Sequence, residues 1–163
     1  DILLGKWCGG ELEGRYTGLL GAWEPGERPE AAAVRVARAL CGLQVDPERL
    51  EPRALLDFIE VDQATGDLGS PLAELQFLYR VGGSAPLAGL DMAGNDVIVP
   101  EWIALDRVPY DQMPADDALW YPPVLLEGGD LLRGSFTFRG QQLLEHHLER
   151  VSSVELQELI AAA

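Results

Sequence analysis

A chain of 163 residues with 47% hydrophobic side chains is long enough to bury the core of one domain, which excludes a disordered protein. It carries 27 Asp and Glu side chains against 12 Lys and Arg, for a formal charge of −15. Because so negative a surface repels phosphate groups, nucleic acids and anionic membranes are not expected as partners.

The N-terminal part of the chain predicts a short strand, a glycine-rich loop and a helix. Residues 2–4 form an apolar run, and the many glycines of residues 8–26 predict loops and tight turns. A helix is expected over residues 29–41, because Pro29 suits its first position and Gly42 suits a left-handed cap after its last.

The rest of the chain predicts mainly strands. Four segments have the apolar or alternating pattern of strands: 54–61, 73–81, 97–105 and 134–139. Pro100 cannot donate a hydrogen bond to a neighbouring strand, so its segment is expected at a sheet edge or a bulge. Residues 142–151 fit a helix by the spacing of their apolar side chains, but they also fit the second arm of a hairpin.

Two helices are predicted after residue 114. Residues 115–126 are expected to form a short helix that Pro122 and Pro123 break. Ser152 and Glu155 have the spacing of a capping box at the start of a last helix. Strands mixed with few helices predict the α+β class.

The cysteine count and the hydropathy pattern bear on the compartment. Cys8 and Cys41 are too few for a disulfide framework, so reduced thiols are expected. No apolar run reaches the roughly 18 residues that a membrane-spanning helix needs, and the chain opens without a signal peptide. These features predict a cytoplasmic protein or one in another reducing intracellular compartment.

Spaced motifs connect the chain to a known family. Five residues have the spacing of a Nudix box: Gly21, Glu27, Arg35, Gly42 and Leu43. The match continues in five later segments, at 101–106, 108–110, 113–117, 120–122 and 134–141. On these motifs the chain resembles the Nudix hydrolase superfamily, and within it the oxidised purine nucleoside triphosphate (8-oxo-dGTP) diphosphatases.

The resemblance implies a particular fold and domain organisation. The fold is an α/β/α sandwich with a mixed β-sheet, assigned to a Nudix-like domain at residues 1–151. A C-terminal helical extension, residues 152–163, lies outside the resemblance. The family's first strand would precede Asp1, so it is expected to be absent from this chain.

The resemblance also implies where a metal would bind. In the family, three glutamates on one face of the box helix hold Mg²⁺ or Mn²⁺, which polarises the phosphate and activates water. Here those positions are Val36, Ala39 and Leu40, and none has a side-chain oxygen. A further metal-binding carboxylate of the family aligns near Val97, beside Asp96. No catalytic residue, metal ligand or cofactor is therefore expected, and Mg²⁺ is required only if the chain is an active hydrolase.

The replacements leave the box helix apolar on most of its surface. Its main apolar stripe consists of Ala33, Val36, Ala37 and Leu40. Such a helix is normally buried, so either the stripe fills the chain's own cleft or another protein covers it. The retained frame includes Gly21, Glu27, Arg35 and Gly42, and an Arg35–Glu27 pair would brace the loop against the helix with or without catalysis.

Asp116 and Asp117 match the paired aspartates that read the oxidised purine in the family. Adjacent carboxyls can share a proton, so that one donates while the other accepts. Thr17 takes the place of the family's asparagine, Pro114 that of a stacking tryptophan and Glu11 that of a phenylalanine. The alternative role for the two aspartates is a helix cap and a first-turn acid, which helix-end electrostatics favour without a ligand.

Three functional hypotheses follow. The first is a degenerate, non-catalytic Nudix domain, a pseudoenzyme that serves as a structural or interaction subunit with other protein chains as partners. The second is a sensor that binds a purine nucleotide through Asp116, Asp117 and Thr17. The third is an active 8-oxo-dGTP-type diphosphatase that uses a different set of carboxylates: Glu24, Glu27, Glu30 and Asp96.

Overall fold

The computed structural model describes residues 1–24, 26–79, 95–126 and 128–162. Within these ranges the main elements, in chain order, are β1 (Ile2–Trp7), β2 (Tyr16–Thr17), α1 (Pro29–Cys41), β3 (Leu50–Glu60), β4 (Leu72–Tyr79), β5 (Ile98–Ile103), α2 (Asp117–Leu125), β6 (Leu132–Arg139), β7 (Gln142–Arg150) and α3 (Ser153–Ala162). They fall into two compact units: Asp1–Leu50 with Tyr79–Pro114, and Glu51–Leu78 with Ala115–Ala163. No described helix is long and apolar enough to span a membrane.

The first unit is built on a three-stranded antiparallel sheet with the strand order β2-β1-β5. Leu4 and Ile98 are fully buried in it, so the short apolar run at the start of the chain does form a strand. Pro100 lies in β5, which is an edge of the described sheet. The edge position expected for this proline is confirmed, because a residue without an N–H weakens an outer strand least.

Helix α1 has the bounds that its end signals predict. Pro29 is at the first turn, and Gly42 adopts a left-handed conformation at φ 71° while its amide donates to the Arg38 carbonyl. The buried face differs slightly from the predicted stripe and consists of Ala32, Val36, Ala37 and Cys41. Ala33 and Leu40, which belong to the predicted stripe, are only half-buried. The buried face of the helix is therefore turned slightly about the helix axis from the predicted stripe. Cys8 is exposed and Cys41 buried, and both thiols are free.

The second unit contains a four-stranded sheet with the order β4-β3-β6-β7. Strands β3 and β6 are parallel while β6 and β7 are antiparallel, so the sheet is mixed as the resemblance implies. Phe136 is fully buried in β6 and stacks on Phe58 of β3 at a centroid distance of 5.5 Å. Residues 142–151, which also fitted a helix, form the hairpin arm β7, because Gly140 at φ 58° turns the chain back along β6.

Helix α2 continues through Pro122 and Pro123, so the expected break is wrong. The helix buries Trp120, Tyr121 and Val124, and this packing outweighs the loss of two backbone donors. Its C-terminal end is also held from β3, where the buried Arg53 guanidinium donates to the carbonyls of Val124 and Gly129.

Helix α3 begins with the predicted capping box. The Ser152 amide donates to Glu155 Oε2 at 2.7 Å, and the Glu155 amide donates to Ser152 Oγ at 3.2 Å. Leu156 is 1% exposed, so this apolar side chain of the helix is buried. The boundary at residues 151 and 152 stays a prediction.

We expect Gly21→Ala to destabilise the protein by about 1–3 kcal/mol, the usual cost of overpacking. A Cβ at Gly21 would lie 2.3 Å from Cγ2 of the buried Val36. Val36→Ala should remove most of this penalty in the double variant, giving a coupling that denaturant unfolding can measure. Gly9→Ala is the matched control, because nothing lies within 4 Å of its added Cβ. Equal losses for Gly21→Ala with either residue at position 36 would contradict this contact.

Candidate functional site

The frame of the Nudix-like box forms a braced loop in the first unit. Arg35 donates from Nε to Glu27 Oε1 at 2.9 Å and from Nη2 to Glu27 Oε2 at 2.7 Å. Nη2 also donates to the Ala22 carbonyl at 2.8 Å, and the Glu24 amide donates to Glu27 Oε2 at 3.1 Å. The Arg35 hydrogen bonds hold the pKa of Glu27 at about 2. The expected brace between loop and helix is therefore present.

The three positions that hold metal in the family carry hydrocarbon side chains. Val36 is 7% exposed and packs against Gly21, while Ala39 is exposed and Leu40 half-buried. The sequence left open whether the chain itself or another protein covers the apolar stripe. At Val36 the chain's own loop provides the cover, through Gly21. Ala39, by contrast, borders an open groove of about 990 Å³ beside the outer face of α1.

A metal does not fit the donor set that the structure describes. Among the described residues there is no group of three His, Cys, Asp or Glu side chains that could hold one. Of the carboxylates considered as substitutes, Glu27 is taken by Arg35, Glu24 lies 3.6 Å from the same guanidinium and Glu30 lies 3.4 Å from Arg28. Ion pairs with arginine compete with a cation for these oxygens, so we derive no metal-dependent step.

Asn95 was missed by the sequence analysis. Its side-chain amide donates to the carbonyls of Ala39 and Leu40 at 3.4 and 3.1 Å, and its Oδ1 accepts from the amides of Val97 and Ile98. Asn95 thus ties the C-terminal turn of α1 to the start of β5. An asparagine in a glycine-rich loop signals a turn, but its helix contact is not readable from the sequence.

The second unit buries two neighbouring carboxyls at the start of α2. Asp116 is 4% exposed and Asp117 5% exposed. Asp116 Oδ2 accepts from the indole Nε1 of Trp120 at 3.1 Å, and the side chain does not cap the helix. Asp117 Oδ2 has no partner among the described residues. The sequence left open that the Asp116 side chain caps the helix, but it instead accepts from the Trp120 indole.

A third carboxyl, Glu74 on β4, belongs to the same unit and was also missed. It is half-buried, and Gln76 Nε2 donates to its Oε2 at 3.1 Å. Burial, and then repulsion from Asp116, raises the pKa of Glu74. The sequence did offer a signal, because Glu74 and Gln76 are polar residues at positions i and i+2 of an apolar strand and therefore share one of its faces.

Burial dominates the electrostatics of this acidic cluster, defined as Glu74, Asp116 and Asp117. It raises the pKa of Asp116 against the opposing effect of hydrogen bonds from its backbone and from Trp120. Burial, followed by repulsion from Asp116 and Glu74, raises the pKa of Asp117 to about 8. At neutral pH the Asp117 carboxyl is therefore mostly protonated and can donate as well as accept.

Thr17, the remaining nucleotide-binding candidate, lies on β2 in the first unit. Its hydroxyl accepts from the indole Nε1 of Trp7 at 2.8 Å and donates to the Gly18 carbonyl at 2.7 Å. The side chain is 3% exposed. Because its single hydroxyl proton is used inside the protein, Thr17 offers a ligand at most an acceptor, and its binding role stays a prediction.

Stability should depend on pH through Asp117. Between its ordinary pKa of 3.8 and its folded pKa of about 8, the folded protein holds a proton that the unfolded chain releases. The free energy of unfolding therefore falls as pH rises through this window, by at most ~1.4 kcal/mol per pH unit from this group.

Asp117→Asn removes that titration, so its stability relative to wild type should increase from pH 5 to pH 8 in urea unfolding. Glu145→Gln, an exposed change on β7, is the control and should follow wild type. Parallel pH profiles for wild type and Asp117→Asn would show that Asp117 keeps an ordinary pKa.

No protein-family model matches the sequence, but two curated proteins and a solved structure are similar to this chain. The oxidized purine nucleoside triphosphate hydrolase of Danio rerio is 29% identical, over 94% of this chain and 89% of the relative. The Mus musculus protein of that name is 28% identical, over 93% and 88%. A crystal structure of a MutT protein from Bacillus halodurans matches with a TM-score of 0.67 at 21% identity, covering 91% of this chain and 89% of that one. The chain has the Nudix fold, and its sequence resembles the oxidised purine nucleoside triphosphate branch of the Nudix superfamily.

Proposed function

We propose that this protein recognises oxidised purine nucleoside triphosphates and reads the base with Asp116 and Asp117. The observation that carries the proposal is the Asp117 carboxyl, which is 5% exposed and has an oxygen without a partner among the described residues. Leaving a buried polar group unsatisfied costs about 1–3 kcal/mol, so a ligand that pairs with it gains this free energy.

The protonation states suit a purine edge. Asp117 keeps its proton near neutral pH because its pKa is about 8, whereas Asp116 Oδ2 accepts a hydrogen bond from the Trp120 indole. A neighbouring donor and acceptor complement the alternating hydrogen-bonding groups of a purine. The two relatives named oxidized purine nucleoside triphosphate hydrolase support this ligand class, since each aligns along most of its length.

Whether binding leads to hydrolysis distinguishes two versions of this proposal. The names of the relatives favour a diphosphatase, but Val36, Ala39 and Leu40 offer no side-chain oxygen to a metal. A sensor that binds without turnover needs only the base site. A purely structural subunit bound to other protein chains is the weaker hypothesis, because it leaves the buried acids unexplained. The two free thiols favour the reducing intracellular compartment inferred from the sequence.

We expect 8-oxo-dGTP at millimolar concentration to raise the melting temperature of the wild-type protein. At a hundred times Kd the stabilisation is about 2.7 kcal/mol, which is several degrees for a chain of this size. Asp117→Ala should abolish the shift, measured against its own ligand-free melting temperature, and the exposed change Glu145→Gln should preserve it. The base-reading role of Asp117 is disproved if Asp117→Ala shifts as much as wild type.

Carboxylates restored on α1 should favour turnover. Ala39→Glu with Leu40→Glu adds two oxygen-bearing side chains where the helix surface is open or half-buried, while Val36 is left unchanged because Gly21 covers it. We expect this double variant to bind Mn²⁺ more tightly in electron paramagnetic resonance and to release pyrophosphate from 8-oxo-dGTP at least about tenfold faster. Ala31→Glu, at an exposed alanine of the same helix, is the control.

Two results together would instead assign hydrolysis to a different set of carboxylates. Chelators would have to abolish turnover by the wild-type protein, and the double variant would have to turn over at the wild-type rate.

A further inference from the structure

The C-terminal end of α2 is held by a set of polar contacts, the α2 clamp, which consists of Arg53, Gly129 and Asp130. The Arg53 guanidinium on β3 donates from Nη2 to the Gly129 carbonyl and, at 3.5 Å, to the Val124 carbonyl. The Asp130 amide donates to the Pro123 carbonyl at 2.9 Å. The clamp therefore joins the last turn of α2 to β3 and to the loop before β6, within the second unit.

We propose that Arg53 is a positioning residue of the base-reading site. By fixing the C-terminal end of α2, it sets where the start of the helix presents Asp116 and Asp117. This inference rests on the proposed function, because the site that Arg53 positions is the site of that function. Arg53 acts through the helix, since its hydrogen bond to Val124 lies two helical turns, about 10 Å, from Asp117.

Helix α2 has few internal hydrogen bonds with which to hold its own position. It is nine residues long, and Pro122 and Pro123 have no N–H, so two bonds to the preceding turn cannot form. Helices of this length are marginal in isolation and depend on packing with the rest of the fold. Contacts with other elements therefore decide where α2 lies, and the clamp is such a contact at its C-terminal end.

The clamp depends on the geometry of the guanidinium. Arg53 is 8% exposed, its Nη1 lies 3.6 Å from Glu51 Oε2, and its Nε has no partner among the described residues. Burying this cation opposes folding, and the carbonyls at the negative end of α2 offset that cost. A lysine would supply the charge without the planar fork of donors, so it should replace Arg53 only in part.

Gly129 offers an independent way to disturb the same clamp. A Cβ at this position would lie 2.6 to 2.7 Å from three carbonyl oxygens at the end of α2. These oxygens belong to the backbone, so Gly129→Ala must shift the loop and move its carbonyl relative to Arg53. Changes at Arg53 and at Gly129 therefore loosen one end of the helix from two sides.

The test alters the end of α2 and measures its start. Arg53→Met removes the donors at similar length, so isothermal titration of the folded variant should show an affinity for 8-oxo-dGTP at least about tenfold lower. In the ligand-free protein, the Trp120 indole N–H, which donates to Asp116, should exchange faster with solvent by NMR. Arg53→Lys should give intermediate values, and Gly129→Ala should resemble Arg53→Met.

Phe58→Leu is the matched control for a loss of stability alone. Phe58 lies on β3 but on the opposite face from Arg53, where it stacks on Phe136. We expect this variant to lower the melting temperature while the affinity for 8-oxo-dGTP and the exchange of the Trp120 indole N–H stay at wild-type values.

The outcomes separate positioning from stability. Weaker binding with faster Trp120 exchange in Arg53→Met and Gly129→Ala, and intermediate values in Arg53→Lys, support the inference. A folded Arg53→Met protein that loses only melting temperature would overturn it. If Arg53→Met does not fold, wild-type affinity and exchange in Arg53→Lys and Gly129→Ala would overturn it instead. Wild-type protein that binds no nucleotide overturns the proposed function, whereas Trp120 exchange still decides whether Arg53 fixes the start of α2.

Discussion

A carboxyl group removed from water needs either a hydrogen-bonding partner or a proton, and this constraint shapes the start of α2. Asp116 receives the Trp120 indole N–H. Asp117 has an oxygen without a partner among the described residues, and its pKa is raised to about 8. Burying acids in this way opposes folding, because the charged forms lose hydration. Packing alone would favour apolar side chains here, and this cost is the reason we propose a ligand-binding role for the two acids.

The box frame and the box chemistry are separable in this protein. Arg35 and Glu27 form a two-point ion pair that fixes the loop against α1, and this contact has the same structural value with or without a metal. The approach of Gly21 to Val36 fixes the same loop from the helix side. Hydrocarbon at position 36 therefore fills space that the fold already encloses. The retained box frame is therefore evidence for the fold alone. Evidence for phosphate chemistry would have to come from oxygen-bearing side chains at positions 36, 39 and 40.

Local signals were sufficient wherever a short stretch of chain decides its own structure. The ends of α1 followed from Pro29 and Gly42, and the capping box of α3 followed from Ser152 and Glu155. These interactions join residues within one or two helical turns. The continuation of α2 through its two prolines was not predictable in this way, because the burial of Trp120, Tyr121 and Val124 and the hydrogen bonds from Arg53 depend on parts of the chain that are distant in sequence.

The sequence by itself determined the family resemblance, the box frame and the loss of side-chain oxygens at positions 36, 39 and 40, because spacing and residue type are properties of the chain alone. It also identified Asp116 and Asp117, because they match the paired aspartates of the family that the chain resembles. Only the tertiary structure decided that both are buried. Burial depends on which strands and helices pack together, and that packing exists only after the chain has folded.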